Sequence, residues 1–218
     1  MEFISHRAGN SIGRLREAES IADVIEVDVH LGVGTRVEVR HAKLLWPTRR
    51  LWDRWYLLPR GEDGLAFGDI LDAAAPSTVF WLDLKGFTSR LSRRARVAIG
   101  DREPLVVSTK PWWILKAFAD RPNTRVIRSA GNRTELLLLM RMPSRAKLHG
   151  VVVHHRLLTD ATIERLKRFG QIYTWSVHDV ESIVRLHERG VSGVILDDLS
   201  LIEPARRATS GEPEASTT

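Results

Sequence analysis

Charged and imidazole side chains of this chain fall at the C-terminal ends of short apolar runs. The set comprises His6 with Arg7, Glu26 with Asp28, His41, and Asp83 with Lys85. In a β-strand, residues i and i+2 point to the same face, so the two members of each i, i+2 pair are expected to aim at one place. Such charges are costly to bury in an apolar strand without a partner, which makes a metal ion or a phosphate group the natural reason for them.

The three carboxylates, Glu26, Asp28 and Asp83, supply the hard oxygen ligands that suit Mg²⁺ or Ca²⁺, with water and a substrate phosphate oxygen completing the shell. Zinc is disfavoured because no close pair of histidines accompanies them, and the chain has no cysteine. A single acidic, hydrophobic, acidic triplet is common, so the prediction depends on the whole ordered set. The sequence therefore indicates a site for a divalent cation.

The two histidines of the set, His6 and His41, are the candidates for acid and base catalysis, because imidazole titrates near neutral pH. Arg7 and Lys85 could neutralise charge that develops on a phosphoryl group. An ion pair with a neighbouring carboxylate is the alternative role for either cation. His30 lies on the same strand face as Glu26 and Asp28, but a position facing solvent is the favoured interpretation for it.

Eight short apolar runs alternate with stretches of helical spacing, which favours a parallel sheet. The predicted strands are Phe3–Ser5, Val24–Val29, Val79–Leu84, Leu105–Val107, Arg125–Ile127, Gly150–Val153, Gln171–Thr174 and Gly193–Leu196. The predicted helices are Ser11–Ala22, Leu65–Ala74, Thr88–Ile99, Pro111–Ala119, Arg133–Met142, Ala161–Phe169 and Val180–Glu188. The count predicts an α/β fold of the (β/α)8 TIM barrel type, although 218 residues is short for it. A smaller doubly wound sheet is the alternative. In a barrel, the charged set would lie at the mouth.

The domain prediction is a single barrel over residues 1–204, followed by a disordered tail over 205–218 that is rich in Ser, Thr, Gly, Pro and charge. Between His41 and Leu65 the alternation is interrupted by aromatic residues. These are Trp46 before Pro47, Trp52, Trp55 and Tyr56. Such a segment would lie over the mouth of a barrel and could grip a lipid or a head group, or its rings could cap the core.

The composition indicates the cellular location of the protein and the kinds of partner that it binds. The chain has no cysteine, its first apolar run starts at Phe3, and it lacks an apolar run long enough for a membrane span, so a cytoplasmic location is expected. The formal net charge of +6 suits anionic partners. Much of that charge lies in an arginine cluster from Arg90 to Arg96 that is typical of a solvated helix face, so we expect no nucleic acid partner and at most peripheral membrane contact.

The ordered motifs resemble the glycerophosphodiester phosphodiesterase family, whose members fold as TIM barrels. The segments that carry the resemblance are His6-Arg7, Ile25 to Val29, Val39-Arg40-His41, Leu82-Asp83-Leu84-Lys85, Tyr173 to Val177, and Gly190 to Asp197. They extend over nearly the whole predicted barrel.

The resemblance implies a metal-dependent phosphodiesterase. His6 and His41 would act as general acid and base, and Glu26, Asp28 and Asp83 would hold Mg²⁺ or Ca²⁺. Arg7 and Lys85 would bind the phosphate, and Trp175 would form a wall of the pocket. The implied substrate is a small phosphodiester, and the sequence leaves the oligomeric state open.

Two departures from the family pattern affect the choice of substrate. Gly9-Asn10-Ser11 replaces the usual proline-glutamate-asparagine-threonine motif, and Asp83 stands where glutamate is frequent. Aspartate followed two residues later by lysine is also found in the sphingomyelinase D-like phospholipases. The alternatives are therefore phospholipase D-type cleavage of lysophospholipids, with or without a cyclic phosphate, and a non-catalytic basic barrel that binds an anionic partner.

Overall fold

A computed structural model describes residues 1–32, 34, 36–45, 50–53, 56–57, 65–143 and 148–211, with only the backbone described for 43–45, 50–53 and 56–57. Thirteen strands are found in these residues. In chain order they are β1 Glu2–Ser5, β2 Val24–Leu31, β3 Val37–Val39, β4 Lys43–Leu45, β5 Arg50–Asp53, β6 Tyr56–Leu57, β7 Leu65–Ala66, β8 Phe80–Leu84, β9 Leu105–Thr109, β10 Thr124–Ala130, β11 Gly150–His154, β12 Gln171–Trp175 and β13 Gly193–Leu196.

Eight parallel strands close into a barrel, which confirms the predicted fold. The order runs β1, β2, β8, β9, β10, β11, β12, β13, and β1 pairs with both β2 and β13. Because every one of these strands has a neighbour on each side, the barrel has no open edge. All eight apolar runs read from the sequence are strands of this barrel, and the doubly wound alternative is excluded by the closure.

Helices follow the barrel strands on the outside. The α-helices are α1 Ile12–Glu19, α2 Phe67–Ala73, α3 Ser89–Ile99, α4 Arg133–Met140, α5 Asp160–Leu166, α6 Val180–Glu188 and α7 Ile202–Ser210. The helix predicted from Pro111 is a 3₁₀ helix over Trp112–Phe118. The other six predicted helices are found within a few residues of their expected ends. Across the described parts of the chain, no helix combines the length and apolar character needed to cross a membrane.

The connection between β2 and α2 contains strands that the apolar pattern did not reveal. β3 runs antiparallel to β2, with Val39 opposite Val29, and β7 pairs with β3. β4, β5 and β6 form a separate antiparallel sheet. The predicted roles of Trp46, Trp52, Trp55 and Tyr56 lie outside the residues whose side chains are described.

The predicted start of the disordered tail at residue 205 is wrong, because residues 205–210 belong to α7. Ala205 is fully buried, and Arg206 donates to Asp23 Oδ1 at 2.9 Å and to the Ile21 carbonyl. These contacts hold α7 against the N-terminal part of the barrel. The segment is mostly polar, so its sequence did not indicate a helix, although one narrow face of that helix is buried. Residues 212–218 lie outside the described structure, and their disorder stays a prediction.

The barrel interior is filled by one large apolar residue from each of its strands, so it is a packed core below the mouth. This cluster consists of Ile4, Val24, Trp81, Val106, Ile127, Val152, Tyr173 and Ile195. The rings of Trp81 and Tyr173 meet edge to face with centroids 4.9 Å apart. A second, larger cluster packs the helices onto the outside of the strands. The two layers fix the strand ends that carry the charged set.

Gly150 marks a close approach between β11 and β12. A Cβ atom at this position would lie 2.4 Å from the Gln171 carbonyl oxygen. Because that neighbour is backbone, Gly150→Ala is expected to lower the free energy of unfolding by about 1–3 kcal/mol, measured by urea denaturation. The control is Gly13→Ala in α1, where a Cβ atom would meet nothing within 4 Å. A Gly150→Ala variant as stable as the wild type would contradict the packing of these two strands.

Candidate active site

Three carboxylates converge at the C-terminal mouth of the barrel. Glu26 and Asp28 lie on the inward face of β2, and Asp83 is directly opposite Asp28 on β8. One oxygen of each carboxylate can be chosen so that all three lie within 4.8 Å of one another. Glu26 and Asp28 are buried, and Asp83 is partly exposed. The strand register therefore brings together the three residues that the sequence selected as a ligand set.

Asp28 is surrounded by cations and one amide. Lys85 Nζ lies 2.9 Å from Asp28 Oδ1 and also pairs with Asp83. Asn10 Nδ2 donates to Asp28 Oδ2 at 2.9 Å, and Arg7 Nε lies 3.5 Å from the same oxygen. Burial alone would raise the pKa of Asp28, but Lys85, Asn10 and Arg7 together lower it below its ordinary value. Asp28 is therefore ionised at neutral pH.

Glu26 has the opposite electrostatic environment. Burial, followed by the negative charge of Asp28, raises the pKa of Glu26 to about 7. Its Oε2 accepts the backbone N–H of Arg7 at 2.6 Å. Arg7 has a left-handed backbone with φ of 56°, which is uncommon for a residue with a side chain. This conformation turns the Arg7 N–H toward Glu26 while its guanidinium reaches Asp28.

The residues fit a hard divalent cation. Their ligand atoms are carboxylate oxygens, and two adjacent buried acids repel each other unless a positive charge lies between them. Asp28 Oδ1 is buried and faces the Lys85 ammonium group at 2.9 Å. An oxygen with a spare lone pair, next to two further carboxylates, is a suitable ligand for Mg²⁺ or Ca²⁺.

His6 lies beside the carboxylates and is oriented by Asp197. Its Nδ1 is 2.6 Å from Asp197 Oδ1, and its Nε2 is 3.8 Å from Glu26 Oε2. Because a carboxylate only accepts, Nδ1 carries a proton and Nε2 is left for the site. Burial would lower the pKa of His6, but the hydrogen bond to Asp197 and the charge of Glu26 raise it above its ordinary value.

Asp197 and Asn10 are functional candidates that sequence reasoning missed. Asp197 immediately follows β13, so its place at a strand end was a usable signal. Asn10 was noted only as part of a departure from a motif. Its side chain binds Asp28 twice, since Asn10 Oδ1 also accepts the Asp28 N–H at 2.8 Å. No spacing pattern distinguishes such a residue, because it lies in a short 3₁₀ turn over Ala8–Asn10.

His41 reaches the barrel through the unpredicted strand β3. Because β3 runs antiparallel to β2, the chain returns toward the carboxylates after Val39, and the Arg40 N–H donates to the Asp28 carbonyl at 3.2 Å. His41 is the next residue and is partly buried. The backbone thus places Arg40 across from Asp28 and His41 one residue further along, on the side of β2 that faces away from β8.

Trp175 lies at the mouth of the barrel beside His154 and His155. Trp175 ends β12, with the His154 ring at 5.6 Å and the His155 Nδ1 at 3.2 Å from its carbonyl oxygen. The contacts described for Trp175 thus lie on the His154 side of the mouth.

His30 is only 6% exposed, so the expectation that it faces solvent is wrong. Burial, and then the charge of Arg40, lowers the pKa of His30 to about 3.

Asp83 is connected to the packed interior of the barrel. Ser108 on β9 donates to Asp83 Oδ1 at 3.3 Å and accepts the indole N–H of Trp81 at 2.8 Å. Trp81 is buried in the interior cluster, so its ring fixes the serine and the serine orients the carboxylate. Ser108 is therefore a supporting residue of the site that the charged pattern alone could not reveal.

The fold and this arrangement define a TIM barrel with a carboxylate cluster, flanked by basic side chains, at its C-terminal mouth. No protein-family model matches the sequence, and no curated protein matches it. Solved structures do match, and they include glycerophosphodiester phosphodiesterases and a phosphodiesterase with bound sn-glycerol-3-phosphate. The chain shares the fold of these proteins, which confirms the predicted barrel.

Three of these structures show how complete the likeness is. A phosphodiesterase from Oleispira antarctica, solved with the product sn-glycerol-3-phosphate, has a TM-score of 0.74 at 15% identity, covering 96% of this chain and 97% of its own. A glycerophosphodiester phosphodiesterase from Thermotoga maritima has a TM-score of 0.71 at 14% identity, covering 94% and 97%. Another from Parabacteroides distasonis has a TM-score of 0.67 at 20% identity, covering 96% and 97%. The likeness thus extends over the whole barrel.

Proposed function

We propose that this protein is a metal-dependent phosphoric diester hydrolase that cleaves glycerophosphodiesters to an alcohol and glycerol 3-phosphate. The observation that carries the proposal is the convergence of Glu26, Asp28 and Asp83 with basic side chains at the mouth of the barrel. Similar barrels among the solved structures include one with sn-glycerol-3-phosphate bound. Carboxylates alone would repel a phosphate, so the site makes chemical sense for a cation and an anionic substrate together.

The basic side chains hold and polarise the phosphate in this proposal. Lys85 and Arg7 lie on two sides of Asp28 and are both partly exposed, so each can turn donors toward phosphate oxygens. Trp175 forms a wall of the pocket that limits the group attached to the phosphate. A cation held by Glu26, Asp28 and Asp83 would supply Lewis-acid stabilisation of the negative charge on the phosphoryl oxygens.

Two histidines move the protons. A water oxygen attacks phosphorus, the bond from phosphorus to the alcohol oxygen breaks, and the alcohol leaves with a proton. One of His6 and His41 accepts the proton of the attacking water, and the other donates to the leaving oxygen. His6 is suited to this role because its hydrogen bond to Asp197 fixes its ring and leaves Nε2 toward the carboxylates.

The choice of compartment and partner follows the sequence composition. We keep the cytoplasmic location, a small phosphodiester or lysophospholipid substrate and the absence of a nucleic acid partner as parts of this proposal. Both Mg²⁺ and Ca²⁺ prefer carboxylate oxygens, so either cation suits this ligand set.

Phosphorus NMR tests the proposal directly. Purified protein with Mg²⁺ or Ca²⁺ is offered glycerophosphocholine and lysophosphatidylcholine in parallel, with His6→Ala as the inactive control. Formation of glycerol 3-phosphate from the first substrate, absent in the variant, is the expected result. Lysophosphatidic acid or a cyclic phosphate from the second substrate alone would instead assign phospholipase D-type cleavage. No conversion of either substrate would contradict the proposal.

Cation affinity is expected to depend on pH through Glu26. Because burial raises the pKa of Glu26 to about 7, a proton competes with the cation below neutral pH. The dissociation constant should rise by up to about tenfold for each unit below pH 7 and level off above it. Isothermal titration with Mg²⁺ and Ca²⁺ at pH 6, 7 and 8 checks this. An affinity that is constant between pH 6 and 8 would mean that Glu26 is already ionised in the cation-free protein.

A further inference from the structure

Two large aromatic side chains are exposed at the edge of the proposed active site. Phe87 follows Lys85 by two residues and is 77% exposed, and Trp113 lies in the segment after β9 and is 66% exposed. The Trp113 indole N–H donates to the Phe87 carbonyl at 3.3 Å, so the two belong to one surface. We call this surface the aromatic rim. Two neighbouring residues that each expose a ring of this size to water are unfavourable unless something covers them.

The surroundings of the aromatic rim are strongly basic. Four consecutive loops at this side of the mouth, residues 85–90, 110–116, 131–135 and 154–156, contain six lysines or arginines and a single acid, Glu135. The cations are Lys85, Arg90, Lys110, Lys116, Arg133 and Arg156. Lys110 pairs with Glu135 at 3.5 Å, and Lys85 pairs with Asp28 and Asp83. The other four cations, Arg90, Lys116, Arg133 and Arg156, are exposed and have no ion pair among the described residues, so they can meet an approaching surface. Exposed aromatic rings surrounded by basic groups suit an anionic lipid interface.

We propose that the aromatic rim docks onto an anionic lipid bilayer, with Phe87 and Trp113 inserted among the head groups and the basic loops contacting lipid phosphates. The mouth then faces the membrane. The docking itself does not rest on the proposed function. A single-stranded nucleic acid, whose bases stack on aromatic rings, is the competing partner for such a surface, and binding to an oligonucleotide is therefore one arm of the test.

Vesicle sedimentation tests the docking without catalysis. The full chain, in EDTA, is mixed with vesicles of phosphatidylcholine alone or with phosphatidylglycerol added, at low and high salt. Binding is expected only to the anionic vesicles and should weaken as salt rises. Phe87→Ser combined with Trp113→Ser is expected to weaken binding by about tenfold or more, because the apolar insertion is lost.

The matched control is Val97→Ser in the last turn of α3. Val97 is 74% exposed, comparable to the rim residues, but it lies about 12 Å along the helix from Ser89 beside the rim. It should bind vesicles like the wild type. Equal binding to neutral vesicles, unchanged binding of the double variant, an equal loss in Val97→Ser, or tighter rim-dependent binding to a single-stranded oligonucleotide would overturn the proposal. Intact vesicle binding without turnover of any diester would refute only the proposed function.

Discussion

Replacement of Asp83 by asparagine is expected to reduce cation-dependent turnover by about 1,000-fold or more while the barrel stays folded. Asp83 supplies one of three carboxylates whose oxygens lie within 4.8 Å of one another. Asparagine keeps the shape and the hydrogen bond from Ser108 but removes the negative charge, which lowers the attraction for the cation and for Lys85. Initial rates and cation titration of the purified variant check this result.

A second aspartate provides the matched control for this variant. Asp120 is exposed and pairs with Arg96 on the outside of the barrel, so Asp120→Asn removes the same charge far from the mouth. This variant should retain wild-type rates. Urea denaturation of both variants separates loss of chemistry from loss of fold. Wild-type turnover in Asp83→Asn, at the wild-type cation requirement, would remove Asp83 from the ligand set.

His6→Ala is expected to lower turnover by about 100- to 10,000-fold with little change in cation affinity. The reason is that His6 Nε2 lies at the edge of the carboxylate cluster while Nδ1 is held by Asp197. Its pKa is raised above the ordinary value, which favours the protonated ring that a proton donor needs. The measurements are steady-state rates over a range of pH and calorimetric titration with the cation.

Two companion variants distinguish the roles around His6. Asp197→Asn keeps the hydrogen bond partner but weakens the hold on the protonated ring, which lowers the pKa of His6. The alkaline limb of the rate profile, where His6 loses its proton, should therefore move to lower pH while cation affinity stays constant. His41→Ala should lose turnover on the same scale as His6→Ala if the two histidines share the proton transfers. A large loss of cation affinity in His6→Ala would mean that His6 is a ligand instead.

The barrel could be predicted because each of its strands is a compact apolar run and each run is followed by helical spacing. The charged set was visible for a related reason, since a carboxylate at the end of an apolar run is costly to bury unless it binds a partner. Asp28 and Asp83 face each other across one strand pairing, as the common position at strand ends implied. The sequence was therefore sufficient to predict which charged residues lie at the C-terminal ends of the barrel strands.

Other features escaped prediction because their stability comes from contacts distant in the chain. β3 is three residues long and exists as a partner of β2, so no periodicity identifies it. α7 is polar over most of its length and is held by the contacts of Arg206 with Asp23 and Ile21. His30 is buried by neighbours from β3, and Asp197 gains its role only when the barrel closes. Tertiary packing outweighs local preference at each of these positions.

The closure of the barrel through β1 has a consequence for synthesis on the ribosome. β1 is the first barrel strand in chain order, yet it must pair with β13, the eighth. The hydrogen bond between His6 and Asp197 joins residues 191 positions apart. Local contacts form early and such distant ones form late, because loop closure costs entropy before it is rewarded. A nascent chain that lacks Gly193–Leu196 therefore leaves His6 without its partner, and the proposed active site is incomplete until β13 has been made.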